Sequence, residues 1–213
     1  MSNHIEIASF RKTVEALLTG EFICPIKYPG FFRYLADEEN AESVSSYVSR
    51  MGFTLGKVSE SENSAWVLFH SDIDSGDREM EKAIRKEFQE NQINVCYFKW
   101  IGDGLRKESI SMGDRISLRS FIDALKENRT LRESISVAIG KESDSEEDLC
   151  RSIIKTLTGR GYLSLSDDIE SIYIVTGKID YFYAMNDFLS EYYHLDRKEN
   201  EETPLVSLME RSF

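Results

Sequence analysis

The chain has 213 residues, 41% of them hydrophobic, and 38 Asp and Glu against 26 Lys and Arg set a formal net charge of −12. That length can bury one large core or two small ones, while the negative field repels nucleic acid and anionic lipid over the distances at which steering acts. Autonomous DNA binding therefore starts at a disadvantage. Cys24, Cys96 and Cys150 lie far apart among apolar neighbours with no CxxC pair, which reads as buried thiols in a reducing compartment. The N-terminus shows no secretory pattern, and no apolar run approaches the roughly 20 residues of a membrane span. The expected location is the cytoplasm.

From the N-terminus, Phe10, Val14, Leu17 and Leu18 recur at helical spacing and Gly20 stops the pattern, placing the end of a first helix near Thr19. Phe22 to Cys24 form a short extended stretch, and Pro29 suits the first turn of a second helix carrying Phe32 and Leu35. Asn40 can cap a third helix with Val44, Tyr47, Val48 and Met51 on one face, ended by Gly52. Phe53–Val58 and Ala65–Phe69 then flank the polar turn "SESEN" as a hairpin. Met80, Ala83, Ile84 and Phe88 continue at helical spacing before the pattern blurs into "INVCYFKW", and "IGDGLRKESISMGDR" reads as a linker.

The same order returns further on. Ser117 caps a helix bearing Leu118, Phe121, Ile122 and Leu125, and Thr130 to Glu133 has the spacing of a capping box opening a second. Ser145 to Asp148 precedes a third with Leu149, Cys150, Ile153, Ile154 and Leu157. Gly161 ends it, and two strands follow, Tyr162–Leu165 and Ile172–Val175, before a last helix from about Ile179 to Leu195. The expected fold is α+β, mainly α, with two tandem winged-helix domains joined by a helix and linker. The divisions are a first winged-helix domain at 1–75, the connecting helix and linker at 76–112, a second winged-helix domain at 113–196 and a C-terminal tail at 197–213.

A DNA-binding wing ordinarily carries Lys or Arg at its tip to neutralise phosphates. Here the second tip carries Asp167, Asp168 and Glu170, and the first carries two acids in "SESEN". The residues that could serve DNA are Arg151, Lys155 and Arg160, but Glu146, Glu147 and Asp148 stand one turn away, an arrangement that helix electrostatics alone explains.

No catalytic pattern stands out. His4, His70 and His194 lack partners at metal-ligand spacing, the GxxxxGK[ST], GxGxxG and GxSxG motifs are absent, and "DIDSGD" at 72–77 lacks the terminal Glu of a calcium loop. No enzyme activity, metal or cofactor is expected. Aromatic residues are in surplus: Tyr181, Phe188, Tyr192 and Tyr193 on the last helix, and Tyr28, Phe31 and Phe32 in "YPGFFRYL". Core packing explains many such residues, and any surplus that is exposed suits a protein interface.

The stretches "ALLTGEFICPIKYPGFFRYL", "VSSYVSRMGFTL" with "SAWVLF", and "GYLSL" with "IYIVTGKIDY" resemble the MksE and MukE-like subunits of bacterial condensins over nearly the whole chain. The most specific piece is the turn formed here by Leu18, Thr19, Gly20, Glu21, Phe22 and Ile23. MukE-type chains carry a longer polar C-terminal extension, so the ending soon after "PLVSLMERSF" favours the shorter MksE-type relatives. The resemblance implies a non-enzymatic tandem winged-helix subunit that forms a homodimer and binds a kleisin, which joins the heads of a coiled-coil SMC ATPase. Such complexes organise and segregate chromosomes or act against plasmids, and the subunit is nucleoid-associated through its complex. DNA contact would be weak or confined to the assembled complex. The competing reading is a winged-helix transcriptional regulator placing Arg151 and Lys155 in a major groove; a hydrolase stands third.

Overall fold

The computed structural model describes residues 2–71, 78–140 and 145–192. Residues 72–77, with the "DIDSGD" motif, 141–144, Tyr193, His194, Leu195 and the segment 197–213 lie outside the described residues. Among the described residues the fold is a mainly helical α+β arrangement of eight helices with two small antiparallel sheets. Gly20, Gly52 and Gly161 take positive φ values of 80°, 79° and 80°, a region glycine enters without the steric cost other residues meet. Each donates its N–H to a carbonyl three residues back, Leu17, Ser49 and Thr158 respectively, so one turn chemistry closes a helix in both halves.

In the first half α1 (Ser2–Leu18), α2 (Pro29–Leu35) and α3 (Glu38–Ser49) precede β1 (Phe53–Lys57) and β2 (Trp66–His70). The cap of α3 differs from the expectation: Asp37, not Asn40, accepts from the Asn40 N–H at 3.1 Å, and Glu38 and Glu39 occupy the first turn, where the dipole favours them. Met51 falls beyond the end of this helix, and both it and Tyr47 are exposed. β1 and β2 pair from Phe53↔His70 to Lys57↔Trp66. The extended stretch at Ile23 exchanges both backbone hydrogen bonds with Trp66, at 3.0 and 2.9 Å, adding a one-residue bridge to the hairpin. Val14, Leu17, Ile23, Leu35, Val44 and Val48 form the core beneath.

The second half contains β3 (Arg115–Ser117), α5 (Leu118–Glu127), α6 (Arg129–Ala138), α7 (Glu146–Gly159), β4 (Leu163–Asp167) and β5 (Ile172–Val175), followed by α8 (Lys178–Tyr192). The sheet order is β3-β5-β4. β3 lies at the join between the stretch read as a linker and α5; three residues are too few to show an alternation. Ser117 and Ser145 cap α5 and α7 as expected, accepting from Ser120 N–H and Asp148 N–H. For α6 the cap is Asn128, which accepts from Leu131 N–H at 3.0 Å. Thr130 is already helical, so its spacing to Glu133 is not the cap.

Between the halves runs α4 (Arg78–Leu105), 28 residues long. The helix continues through "INVCYFKW" because Tyr97, Phe98, Trp100 and Ile101 fall on one face and are all buried in the second core with Phe121, Ile153 and Leu157. Burial overrides the β-leaning composition of that stretch. A third cluster joins the halves: Phe22, Cys24, Ala65 and Val67 pack with Ile26, Val58, Met112 and Tyr181. Gly177 stands at its centre, where a Cβ would lie 2.7 Å from Cys24 Cβ and 3.2 Å from both Ala65 Cβ and Met112 Sδ.

Gly177→Ala is expected to destabilise the protein by about 1–3 kcal/mol in chemical denaturation, whereas Gly30→Ala, within α2 and with nothing within 4 Å, leaves stability unchanged or raises it by up to about 1 kcal/mol. Equal effects would contradict the close packing at Gly177. The Cys150 thiol is pushed up to about 12 by burial and then by the Glu146 carboxylate. A thiol reagent at mildly alkaline pH should leave it unmodified until the protein unfolds, and rapid native labelling of Cys150 would contradict its place in the core.

Candidate protein-docking surfaces

The helix preceding a hairpin is the element a winged-helix DNA reader lays in the major groove. In the first half that helix is α3, "EENAESVSSYVS", which contains no Lys or Arg. Its outer face and the hairpin enclose an open groove of about 590 Å³ lined by Glu38, Ala41, Glu42, Ser45, Ser46 and Ser49, with Leu55 and Trp66 contributed by the strands. The Lys57 ammonium lies 5.2 Å from the centre of the Trp66 ring, a cation–π contact. The buried Trp66 Nε1–H meets no acceptor among the described residues. Small side chains leave room for an inserted chain, the strand residues supply an apolar floor, and Glu38 and Glu42 make the rim negative. Phosphate would be repelled there; a segment with basic and apolar side chains would be attracted.

In the second half the three candidate DNA contacts do not converge. Arg151 is exposed on α7 and held by Glu147, with Nη2 2.7 Å and Nε 2.8 Å from the same carboxylate oxygen. Lys155 is exposed one turn further on. Arg160 caps the end of α7 and turns inward: it donates to Asn94 Oδ1 at 2.6 Å and to the Glu90 carbonyl at 3.3 Å, and lies 3.8 Å from the Glu90 carboxylate.

The β4–β5 tip is a formed turn in which Asp167 Oδ1 accepts from Glu170 N–H at 3.0 Å and Ser171 takes a φ of 51°. Between the acids stands Ile169, 97% exposed, with Leu165 exposed on the adjoining strand. Sequence reading concentrated on the acids and missed this isoleucine. Its signal was an aliphatic side chain at a turn position where Asn, Asp or Gly is usual.

The aromatic candidates separate by environment. Tyr28 and Phe31 stack at 5.7 Å with their planes 16° apart, and both, with Phe32, pack half-buried on the first core. Burial pushes the Tyr28 phenol up. Tyr181 lies 5.1 Å from Phe22 in the cluster between the halves, where burial and the Glu87 carboxylate push its phenol up. Phe188 is 56% exposed on α8, and Tyr192 ends that helix. Among the described side chains of this set the exposed one is Phe188, while Tyr181 packs in the cluster between the halves. His70 packs at 4.8 Å against Phe53. Among the described residues there is no cluster of three or more His, Cys, Asp or Glu able to hold a metal, and no helix is long and apolar enough to cross a membrane.

Residues 8–186 match the model of the family described as Condensin complex protein MksE. No curated protein matches the chain.

Glu42 and Ile169 project from the fold, so Glu42→Lys and Ile169→Asp should each leave the unfolding free energy within about 0.5 kcal/mol of the parent protein. Ile153→Ala, in the core, should cost about 2–5 kcal/mol. A loss above about 1 kcal/mol in either surface variant would assign that residue to the fold rather than to a free surface.

Proposed function

The chain belongs to the MksE family of condensin complex proteins, and from that premise we propose that it binds the kleisin subunit as a homodimer and acts through it on an SMC-type ATPase. The family is a non-catalytic condensin subunit, so the protein's work is recognition and scaffolding. Both halves have three helices followed by an antiparallel hairpin, which supports a tandem winged-helix reading. On that reading the first unit spans 1–75. α4 joins the second, since its Tyr97, Phe98, Trp100 and Ile101 share the core of α5 and α7. The third strand is supplied differently in each unit: by Ile23, between α1 and α2, and by β3, ahead of α5.

The observation that carries the proposal is the absence of any base on α3 together with its acid-rimmed, apolar-floored groove. A helix placed to read DNA and stripped of cations suits an extended segment of a partner protein. The exposed Ile169 among Asp167, Asp168 and Glu170 offers a second contact of the same kind, an apolar anchor with an acidic surround. The protein then resides in the cytoplasm, associated with the nucleoid through its complex, and contributes to chromosome organisation and segregation or to restriction of plasmids. Direct DNA contact is weak or confined to the assembled complex, where partners supply the phosphate-binding charge.

One observation favours a second reading, a DNA-binding regulator: Arg151 and Lys155 are both exposed on one face of α7. The two readings differ in a mobility-shift assay on short duplex DNA at physiological salt. The isolated protein is expected to leave the duplex unretarded, and affinity capture from its host after nuclease treatment should recover a kleisin and a coiled-coil ATPase. Tight retardation that is lost in the Arg151→Ala, Lys155→Ala double variant, with no kleisin recovered, would establish the regulator instead.

A further inference from the structure

Among the described residues, the hairpin of the first half has a free edge: β2 lies between the bridge at Ile23 and β1, which leaves β1 outermost. Ser71 N–H donates to the Gly52 carbonyl beyond one end of β1, and Val58 N–H donates to the Ala65 carbonyl beyond the other. Backbone groups alternate sides along a strand, so Thr54 and Gly56 turn theirs toward β2, while Phe53, Leu55 and Lys57 turn theirs outward. These outward N–H and carbonyl groups meet no partner among the described residues. All three residues are partly exposed.

A sheet edge is ordinarily blunted by a proline, a bulge or an outward charge. β1 has neither a proline nor a shift of register between Phe53 and Lys57. Its one charged residue is folded back: the Lys57 ammonium donates to the Glu62 carbonyl at 3.1 Å and lies over the Trp66 ring. The matching edge in the second half is blunted, since Leu163 of β4 is 1% exposed and the register shifts between Leu165 and Asp167.

A strand added to β1 sets every second side chain on the face where Leu55 lines the groove against α3. The opposite face offers Phe69, 41% exposed. Two copies of this chain joined antiparallel at β1 would bring both acidic α3 walls, each with Glu38 and Glu42, onto one face of the joined sheet, where they repel. A basic segment is drawn to the same place.

We propose that the partner segment assigned to this groove enters as an extra β-strand on the free edge of β1, with apolar side chains on Leu55 and Lys or Arg toward Glu38 and Glu42. The inference rests on the kleisin reading above and adds its mode. Main-chain pairing supplies the affinity, and the groove reads alternate side chains.

The test is calorimetric titration of the full chain with the proposed kleisin partner from the same host, then with synthetic peptides tiling that kleisin. Lys57→Pro removes one outward N–H and no bond of the hairpin, so it should weaken kleisin binding at least about tenfold, whereas Lys57→Ala keeps the N–H and should stay within about threefold. In a peptide that binds, N-methylation should cost about tenfold at every second residue and no more than about threefold at those between. Should Lys57→Pro fail to fold, that two-residue period decides; should no single peptide bind, the two Lys57 variants decide. Unchanged affinity in a folded Lys57→Pro, or losses on N-methylation without the period, overturns strand addition and leaves the kleisin reading standing. A kleisin that does not bind the full chain overturns both. A dimer of the isolated protein that dissociates in Lys57→Pro on sedimentation gives the edge to a second copy and overturns the proposal.

Discussion

At Gly177 the chain leaves β5 for α8 so close to the first half that a Cβ would lie 2.7 Å from that of Cys24. Backbone there replaces side chain, and the approach lets Phe22, Cys24, Ala65 and Val67 share one apolar cluster with Met112 and Tyr181. A cluster this small leaves little apolar area to hold two halves in register. The contacts at its edge therefore matter: Lys178 over Phe22 and Tyr162, and Thr176 donating its hydroxyl to the Gly161 carbonyl at 2.7 Å. The cluster between the halves includes Val67 of β2 but no residue of α3, whose outer face stays open.

On the proposed reading those outer surfaces face a protein partner rather than DNA. Phosphate binding depends on cations placed to release counterions from the duplex, and α3 has none. On α7, Arg151 is held by Glu147 and Arg160 is turned into the interior against Asn94 and Glu90. Beside Arg151 and Lys155, which stay exposed on α7, the outside carries a groove with acids on its rim, an isoleucine at an acidic turn and a half-exposed phenylalanine on α8. Apolar anchors surrounded by charge of one sign specify a partner carrying the opposite sign.

Much of this arrangement is legible in the sequence, because its glycines and capping serines act locally. Gly20, Gly52 and Gly161 each end a helix where the pattern stops, and Ser117 and Ser145 cap the helices they precede. Long-range effects were not legible. The caps at Asp37 and Asn128 displaced equally plausible neighbours by three and two positions, since several polar residues near a helix start compete for the same N–H groups. The continuation of α4 through Tyr97 to Ile101 depends on burial against α5 and α7, and β3 exists only by pairing with β5. Of the candidate contacts, Arg160 and Tyr181 proved to face inward for the same reason, while Ile169 was overlooked because its significance lies in exposure, which periodicity does not report.

Hydrogen–deuterium exchange of the protein, alone and with the proposed kleisin partner, decides whether these surfaces face protein or DNA. Exchange should slow in α3 and in the hairpins at 53–70 and 163–175 on adding the kleisin, with no change on adding short duplex DNA at physiological salt. Protection of α7 by the duplex, with α3 and both hairpins indifferent to the kleisin, would contradict it.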